Sequence, residues 1–212
     1  MTDGSPLSVL ERVRGSGATS PSALRCDLCG EPIEEDHSHA VDTHERRLLC
    51  TCRPCYLLFT SPGAAGGRRR AVPSSYRRLE GFSLGPGGWD ALEIPVGVAF
   101  FLRDPEGRVT AFYPGPAGAT ESLLPLGAWD QVVEANPDLG DLDAEVEAAL
   151  VTASGERGPS CFVVPVDACY ELVGRLRRVW RGFDGGQDAR RELADFLGHL
   201  TRRADGVGRG AS

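Results

Sequence analysis

Two cysteine pairs of the form Cys-x-x-Cys constrain the fold of this chain more than any other feature. They lie in the segment CDLCGEPIEEDHSHAVDTHERRLLCTCRPCYLLF, residues 26–59, which holds five of the seven cysteines and three of the four histidines. The residues between the two pairs are numerous enough to form a β-hairpin, a spacing typical of zinc sites. We therefore predict one zinc ion, with iron as the alternative metal. The predicted ligands are Cys26, Cys29, Cys52 and Cys55.

The local sequence around these ligands predicts a small zinc finger. Gly30 follows the first pair and lets the chain turn back toward the thiolates. A hairpin is expected to turn near residues 43–46, and CRPCYLLF is expected to begin a helix with Pro54 in its first turn. A turn, a hairpin and a helix in this order resemble a treble-clef finger. Four thiolates would complete a tetrahedral shell, so the predicted site is structural rather than catalytic.

Three further potential ligands lie in the same segment. Cys50 lies two residues before Cys52 and would share a strand face with it, so it is able to replace Cys52 or to lie beside the site. His37 and His39 also share a strand face and are potential ligands, although histidines that flank a finger more often face solvent or hydrogen-bond to a thiolate. The roles of these three residues stay open at this point.

The composition excludes several classes of function. The 212 residues are 41% hydrophobic and 25% charged, close to globular averages, and no apolar run approaches the roughly 20 residues that cross a bilayer. The first residues lack the order of a secretion signal, so we expect a cytoplasmic protein without membrane insertion, in which clustered cysteines favour metal binding over disulfides. All 23 basic residues are arginine, which excludes a Schiff-base lysine and a Walker-type phosphate lysine.

Charge is distributed unevenly along the chain. Residues 44–78 carry eight arginines and one acidic residue, whereas residues 79–150 carry 13 acidic residues and two arginines. The basic stretch predicts either intramolecular pairing, which we favour, or a patch for an anionic partner. The second interpretation gives a treble-clef nucleic-acid-binding protein, which the net charge of −7 disfavours. Its contact residues would be Arg46, Arg47, Arg53, Arg68, Arg69 and Arg70.

The remainder of the chain predicts an α+β domain joined to the cysteine-rich module of residues 23–60. Residues 1–22 and 204–212 are expected to be disordered tails, and residues 61–88 a linker or loop. Within residues 89–203 we predict a hairpin that turns at DPEG, a short helix in GAWDQVVEANP and a second helix opened by Asp141 and Asp143. A buried strand in SCFVVPV and two C-terminal helices follow.

No catalytic centre is predicted. Cys161 and Cys169 lie on a predicted strand and helix, and the one histidine outside the cysteine-rich segment is His199, so we expect buried structural thiols rather than a nucleophile with its base. The small-residue segment GPAGATES, residues 115–122, matches no phosphate-loop pattern and is interpreted as a turn.

Four segments resemble an uncharacterised actinobacterial family whose genes often accompany nickel–iron hydrogenase operons: RRLLCTCRPCYLLFT, LEIPVGVAFFLRD, AFYPGPAGATESLLPL and CFVVPVDACYELVGRLRRVWRGFDGG. The resemblance covers about residues 23–200 and implies an accessory role in hydrogenase maturation or electron transfer. It also implies a protein partner, a hydrogenase subunit or a maturation factor.

The same resemblance raises a comparison with rubredoxin-like proteins, which bind iron through two Cys-x-x-Cys turns in analogous hydrogenase systems. This chain departs from that pattern, because CRPCY lacks a following glycine and Cys50 is an additional cysteine. We therefore expect a non-enzymatic, zinc-binding accessory protein. A nucleic-acid-binding protein and a rubredoxin-like iron electron carrier are the alternatives.

Overall fold

The computed structural model describes residues 24–125, 127–153, 158–182 and 185–207. The predicted tail at residues 1–22 lies outside this part of the chain, as do residues 208–212. Two antiparallel sheets and several helices make an α+β fold, which confirms the predicted class. None of the helices in the described part combines the length and the apolar character needed to cross a bilayer.

The first sheet belongs to a small unit, residues 24–72, which we call the finger. Its three strands are β1 (Ser38–Asp42), β2 (Arg47–Thr51) and β3 (Arg69–Ala71), in the order β2-β1-β3. The hairpin β1–β2 forms as predicted and pairs His39 with Cys50. The short helix α1 (Arg53–Leu57) follows β2 directly, with Pro54 in its first turn.

The second sheet forms the main domain, residues 76–207. Its strands run in the order β4-β9-β8-β5-β6-β7 and are all antiparallel to their neighbours. They are β4 (Arg77–Arg78), β5 (Val98–Arg103), β6 (Val109–Gly115), β7 (Gly118–Ser122), β8 (Glu147–Thr152) and β9 (Ser160–Pro165). The helices are α2 (Gly88–Ala91), α3 (Ala128–Ala135), α4 (Val166–Val179) and α5 (Gly186–Val207).

Side chains alternate between two apolar layers across this sheet. Phe100 and Leu150 pack on one face with residues of α4 and α5, including Leu172. The adjacent Phe101 and Val151 face the opposite layer, which contains Trp129 of α3 together with Leu139 and Leu142. The sheet is therefore covered on both faces, as expected for a period of two along each strand.

The prediction of a helix opened by Asp141 and Asp143 is wrong. The structure has a short 3-10 turn at Pro137–Asp141 and then strand β8, all six residues of which are buried between β5 and β9. A short continuous apolar run such as AALV fits a doubly covered strand as well as a buried helix, so its periodicity does not decide between them. The DPEG hairpin, the strand in SCFVVPV and the helices in the other predicted places are confirmed.

The segment predicted as a linker, residues 61–88, differs from that expectation because it contributes a strand to each sheet. Strand β3 pairs with β1, and β4 pairs with β9 at the edge of the main domain. These strands have three and two residues, too few to show an alternating pattern. The C-terminal helix α5 also continues to Val207, beyond the predicted end at residue 203.

The finger packs directly against the main domain. Val41 and Val72 of the finger share a buried cluster with two residues of the main domain. These are Val146, which directly precedes β8, and Val166, the first residue of α4. The guanidinium of Arg70 donates to the carboxylate of Asp143 at 2.6 Å and to a neighbouring backbone carbonyl. The face of β1 that carries Val41 therefore lies toward the main domain.

Candidate metal centre

The four predicted ligands come together from two parts of the finger. Cys26 and Cys29 lie in a turn closed by the bridge between Arg25 and Pro32, and Cys52 and Cys55 lie at the start of α1. Their sulfur atoms all lie within 4.8 Å of one another. The Sγ atoms of Cys29 and Cys52 are 3.6 Å apart, which is too long for a disulfide. A tetrahedron with zinc–sulfur bonds of about 2.3 Å has edges of about 3.8 Å, so the spacing fits a thiolate-bound ion.

Backbone hydrogen bonds hold the first cysteine turn in place. The N–H of Gly30 donates to the carbonyl of Cys26 at 2.9 Å, and the φ of +77° at Gly30 is a conformation that glycine adopts without strain. Asp27 fixes the turn to the end of β2: its N–H donates to the carbonyl of Cys50 at 2.8 Å, and its carboxylate accepts from the N–H of Cys50 at 2.7 Å. The turn and β2 thus form one rigid support.

The electrostatics of the cluster favour a cation. Burial opposes ionisation of Cys26, but backbone N–H groups, that of Cys52 foremost, donate to its sulfur and lower the pKa of Cys26 to about 6. Burial raises the pKa of Cys55 to about 12, and the neighbouring thiols add to the shift. A divalent metal ion among these sulfurs would supply positive charge that favours the thiolate form of each ligand.

The three residues left open by the sequence form a second group. One ligand atom from each of His37, His39 and Cys50 lies within 4.8 Å of the others, and Cys50 belongs to this group rather than to the four-cysteine cluster. His39 also contacts Asp167 at the start of α4, where Nδ1 of the imidazole lies 2.9 Å from a carboxylate oxygen. The sequence held no signal for this contact, because 128 residues separate the two partners.

The cysteines of the main domain have no metal-binding or catalytic surroundings in the described structure. Cys161 and Cys169 are completely buried, and burial raises the pKa of Cys161 to about 12 and holds the pKa of Cys169 well above its ordinary value. His199 is exposed on α5. Both thiols are therefore protonated at neutral pH and act as small apolar side chains. The GPAGATES segment forms the turn between Gly115 and Gly118 and then strand β7, so only its first part is the predicted turn.

Most arginines of the basic stretch face acidic groups of the same chain. Arg68 and Arg69 both lie near Asp42, a carboxylate that is only 2% exposed. The backbone N–H of Glu45, followed by these two guanidinium groups, lowers the pKa of Asp42. Arg70 pairs with Asp143, and Arg47 lies 3.5 Å from Glu45. Intramolecular pairing, which the charge distribution favoured, accounts for these four arginines.

Comparison with known proteins assigns the chain to a family. Residues 25–204 match the model of a family of unknown function, DUF5947. The chain belongs to DUF5947. Because the DUF5947 match begins just before Cys26 and ends in α5, the finger and the main domain are both part of what defines the family. No curated protein and no solved structure matches the sequence.

Proposed function

We propose that this protein is a non-enzymatic, metal-binding accessory protein whose finger is held together by one zinc ion. The observation that carries the proposal is the convergence of four cysteine sulfurs within 4.8 Å. Four thiolates close the tetrahedral shell of zinc and leave no position for a substrate, so this site stabilises structure rather than performing chemistry.

The surroundings of the cluster support a treble-clef finger with zinc over a rubredoxin-like iron site. The chain runs from the Cys26–Gly30 turn through the β1–β2 hairpin into α1, which is the order of a treble clef. The second cysteine pair lies at the start of a helix, not in a second glycine turn. The two halves of the site thus differ, whereas rubredoxin-like proteins use two similar turns.

The surface of the finger supports a protein partner over nucleic acid. Leu57 and Leu58, two and three residues after Cys55, expose 51% and 66% of their surface, whereas the arginines that would contact phosphates are mainly paired with acidic groups. We propose a nickel–iron hydrogenase component as the partner, either a subunit or a maturation factor. This part of the proposal rests on the sequence resemblance alone.

Metal analysis and the visible spectrum of aerobically purified protein test the zinc site. We expect a colourless protein, because zinc has a filled d shell, and loss of this zinc when any of the four ligands is changed to serine. Cys50→Ser is the matched control and should keep this zinc. A red protein with one iron per chain would overturn the assignment in favour of electron transfer. Zinc retained in Cys52→Ser but lost in Cys50→Ser would show that Cys50 is the fourth ligand.

A pull-down from a host that expresses a nickel–iron hydrogenase tests the partner. The wild type should recover a hydrogenase subunit or maturation factor, and a Leu57→Glu/Leu58→Glu variant should recover less. Leu123→Glu is the control, because Leu123 is 89% exposed but lies in the main domain. Recovery of neither class of protein would contradict the proposed partner, and binding to nucleic acid that falls steeply with salt would favour the alternative function.

A further inference from the structure

Three potential metal ligands meet on the face of the finger sheet that lies toward the main domain. His39 and Cys50 are direct cross-strand partners, so their side chains project from the same face. His37 lies two residues before His39, and the centroids of the two imidazole rings are 4.7 Å apart. We propose that His37, His39 and Cys50 form a second metal site, separate from the four-cysteine cluster, that binds a divalent transition metal, zinc being the ion that best suits its donors.

The hydrogen bonds of the two histidines fix which nitrogen is available to a metal. Nδ1 of His37 lies 2.8 Å and 3.0 Å from the carbonyl oxygens of Glu34 and Glu35, which accept hydrogen bonds and never donate them. Nδ1 must therefore carry the proton, and the neutral ring leaves a lone pair on Nε2. Nδ1 of His39 faces the carboxylate of Asp167 in the same way. In both rings Nε2 is therefore the nitrogen that these hydrogen bonds leave for a metal.

The environment of His37 points to a missing ligand partner. Its Nε2 atom is buried and accepts no hydrogen bond from any residue in the described part of the chain. A buried polar atom without a partner is destabilising and is rare in folded proteins. A metal ion bound to this lone pair removes the penalty.

Asp167 gives the site the outer support that is usual for a metal-binding histidine. Histidines that bind metals commonly donate their second nitrogen to a carboxylate, which orients the ring and raises its basicity. One oxygen of Asp167 accepts from His39 at 2.9 Å, and the other accepts from the backbone N–H of Ala168 at 2.8 Å. Because Asp167 lies in the first turn of α4, the main domain orients His39, a ligand that the finger supplies.

The donor set determines the kind of metal and the coordination. Two imidazole nitrogens and one thiolate suit zinc and other borderline transition metals, and they are poor ligands for calcium or magnesium. Three protein ligands leave a fourth tetrahedral position for water or an external ligand, unlike the closed four-thiolate cluster. Asp27 links the two sites, since it follows Cys26 and bonds to the backbone of Cys50.

Cobalt(II) is a suitable probe, because cobalt bound to thiolate absorbs visible and near-ultraviolet light. The full-length protein is adjusted to one zinc per chain, which the four-cysteine cluster holds, and is then titrated with cobalt. Zinc binds such sites more tightly than cobalt, so cobalt does not displace it. We expect one cobalt per chain with a thiolate-to-cobalt band. His37→Ala, His39→Ala and Cys50→Ser should each abolish this band, and Asp167→Asn should weaken cobalt binding by about 10- to 100-fold.

His44→Ala is the matched control, because His44 is exposed in the turn between β1 and β2 and should not affect cobalt binding. The zinc content of each variant reports separately whether the finger is folded, and one zinc per chain should remain in all of them. Absence of cobalt binding near one equivalent in the wild type would overturn the proposal. A band that persists in Cys50→Ser, or loss of zinc together with cobalt in all three variants, would also overturn it.

Discussion

The finger and the main domain are both rich in β-strands, yet different interactions hold them together. Among the described residues, the two apolar layers of the main domain bury 15 and 14 residues, with Phe100, Phe101 and Phe196 at most 1% exposed. In the finger, the buried apolar residues are small or medium in size, and the largest that is fully buried is Leu49. We therefore expect the main domain to fold on its own core, and the finger to depend on the proposed metal and on the surface that it packs against.

The positions of the tryptophans allow the two regions to be followed separately. Trp89, Trp129 and Trp180 all lie in the main domain, and the finger contains none. Tryptophan fluorescence therefore reports unfolding of the main domain, while metal content and hydrogen exchange of the β1 and β2 amides report on the finger.

Loss of a predicted zinc ligand should produce the largest effect. Cys26→Ser is expected to release the zinc and unfold the finger while the main domain stays folded. Zinc contributes about 10–16 kcal/mol to the folding of isolated finger peptides, far more than the few buried side chains of this finger supply. Hydrogen exchange should show protection lost in residues 38–51 and retained in residues 98–103.

Cys161→Ala serves as a control for the removal of a cysteine, since this thiol is buried in the main domain and should leave the zinc content unchanged. A finger that keeps its exchange protection without metal would show that packing on the main domain alone is sufficient. Such a result would remove the proposed difference between the two regions.

A cavity in the main domain should produce the next largest effect. Phe101 is fully buried, and its ring stacks on Trp129 with the centroids 4.3 Å apart. Phe101→Ala is expected to lower the free energy of unfolding by about 3–5 kcal/mol. Urea unfolding followed by tryptophan fluorescence measures this loss, and the zinc content before the transition should equal that of the wild type.

Leu123→Ala is the control for this substitution, because Leu123 is 89% exposed and its removal should change the free energy of unfolding by less than about 0.5 kcal/mol. A Phe101→Ala protein that loses zinc in native buffer would contradict the independence of the two regions.

The sequence predicted local features of the finger well and its place in the molecule poorly. The spacing of Cys26, Cys29, Cys52 and Cys55 was informative because ligands must converge, and the turn, hairpin and helix between them obey local rules. The contact between His39 and Asp167 has no local signal, since it depends on how two separately formed units pack. The distribution of charge likewise suggested that Arg70 pairs with an acidic residue of the same chain. It did not identify Asp143 as the partner, because that pairing also depends on how the two units pack.

In the main domain, the sequence correctly predicted the elements that have one apolar face and one polar face. The prediction failed for elements without that difference between their faces. Helices α4 and α5 show a single apolar stripe, and both are found where expected. Residues 148–151 of strand β8 are all apolar because the sheet is covered on both faces, so the expected helix had equal support in the pattern. Strand β4 consists of Arg77 and Arg78 alone, and an edge strand of two residues has no readable periodicity.

Removal of the polar contact between the two regions should have a moderate effect. Arg70 is about one-third exposed and bonds to Asp143 and to a backbone carbonyl, so Arg70→Ala is expected to weaken finger docking by about 1 kcal/mol. This corresponds to zinc transfer to a chelator that is about fivefold faster, if opening of the finger limits transfer. Arg47→Ala is the control, because its pairing with Glu45 is long and exposed and should contribute nothing measurable. Equal transfer rates for both variants would show that the apolar contacts alone dock the finger.

The smallest expected effect concerns pH and the main domain alone. Burial opposes ionisation of Asp104, but hydrogen bonds from the side chain and backbone N–H of Arg108, at 2.7 Å and 2.8 Å, lower the pKa of Asp104 below its ordinary value. A lowered pKa in the folded state stabilises the fold above the unfolded value of about 3.9, and this contribution is lost as the pH falls through the folded pKa. The wild type should therefore be more stable than Asp104→Asn at pH 7, and the difference should shrink by pH 3.

Urea midpoints from tryptophan fluorescence at the two pH values measure the difference for Asp104. Release of zinc in acid affects the wild type and the variant equally, so it cancels when the two are compared. Glu106→Gln is the control, since Glu106 is 65% exposed and lies 3.4 Å from the same arginine. It should show little difference from the wild type at either pH. A difference for Asp104→Asn that stays constant from pH 7 to pH 3 would mean that the turn depends on the shape of the side chain rather than on its charge. The main domain would then owe its stability at this hairpin, as in its core, to packing and backbone geometry.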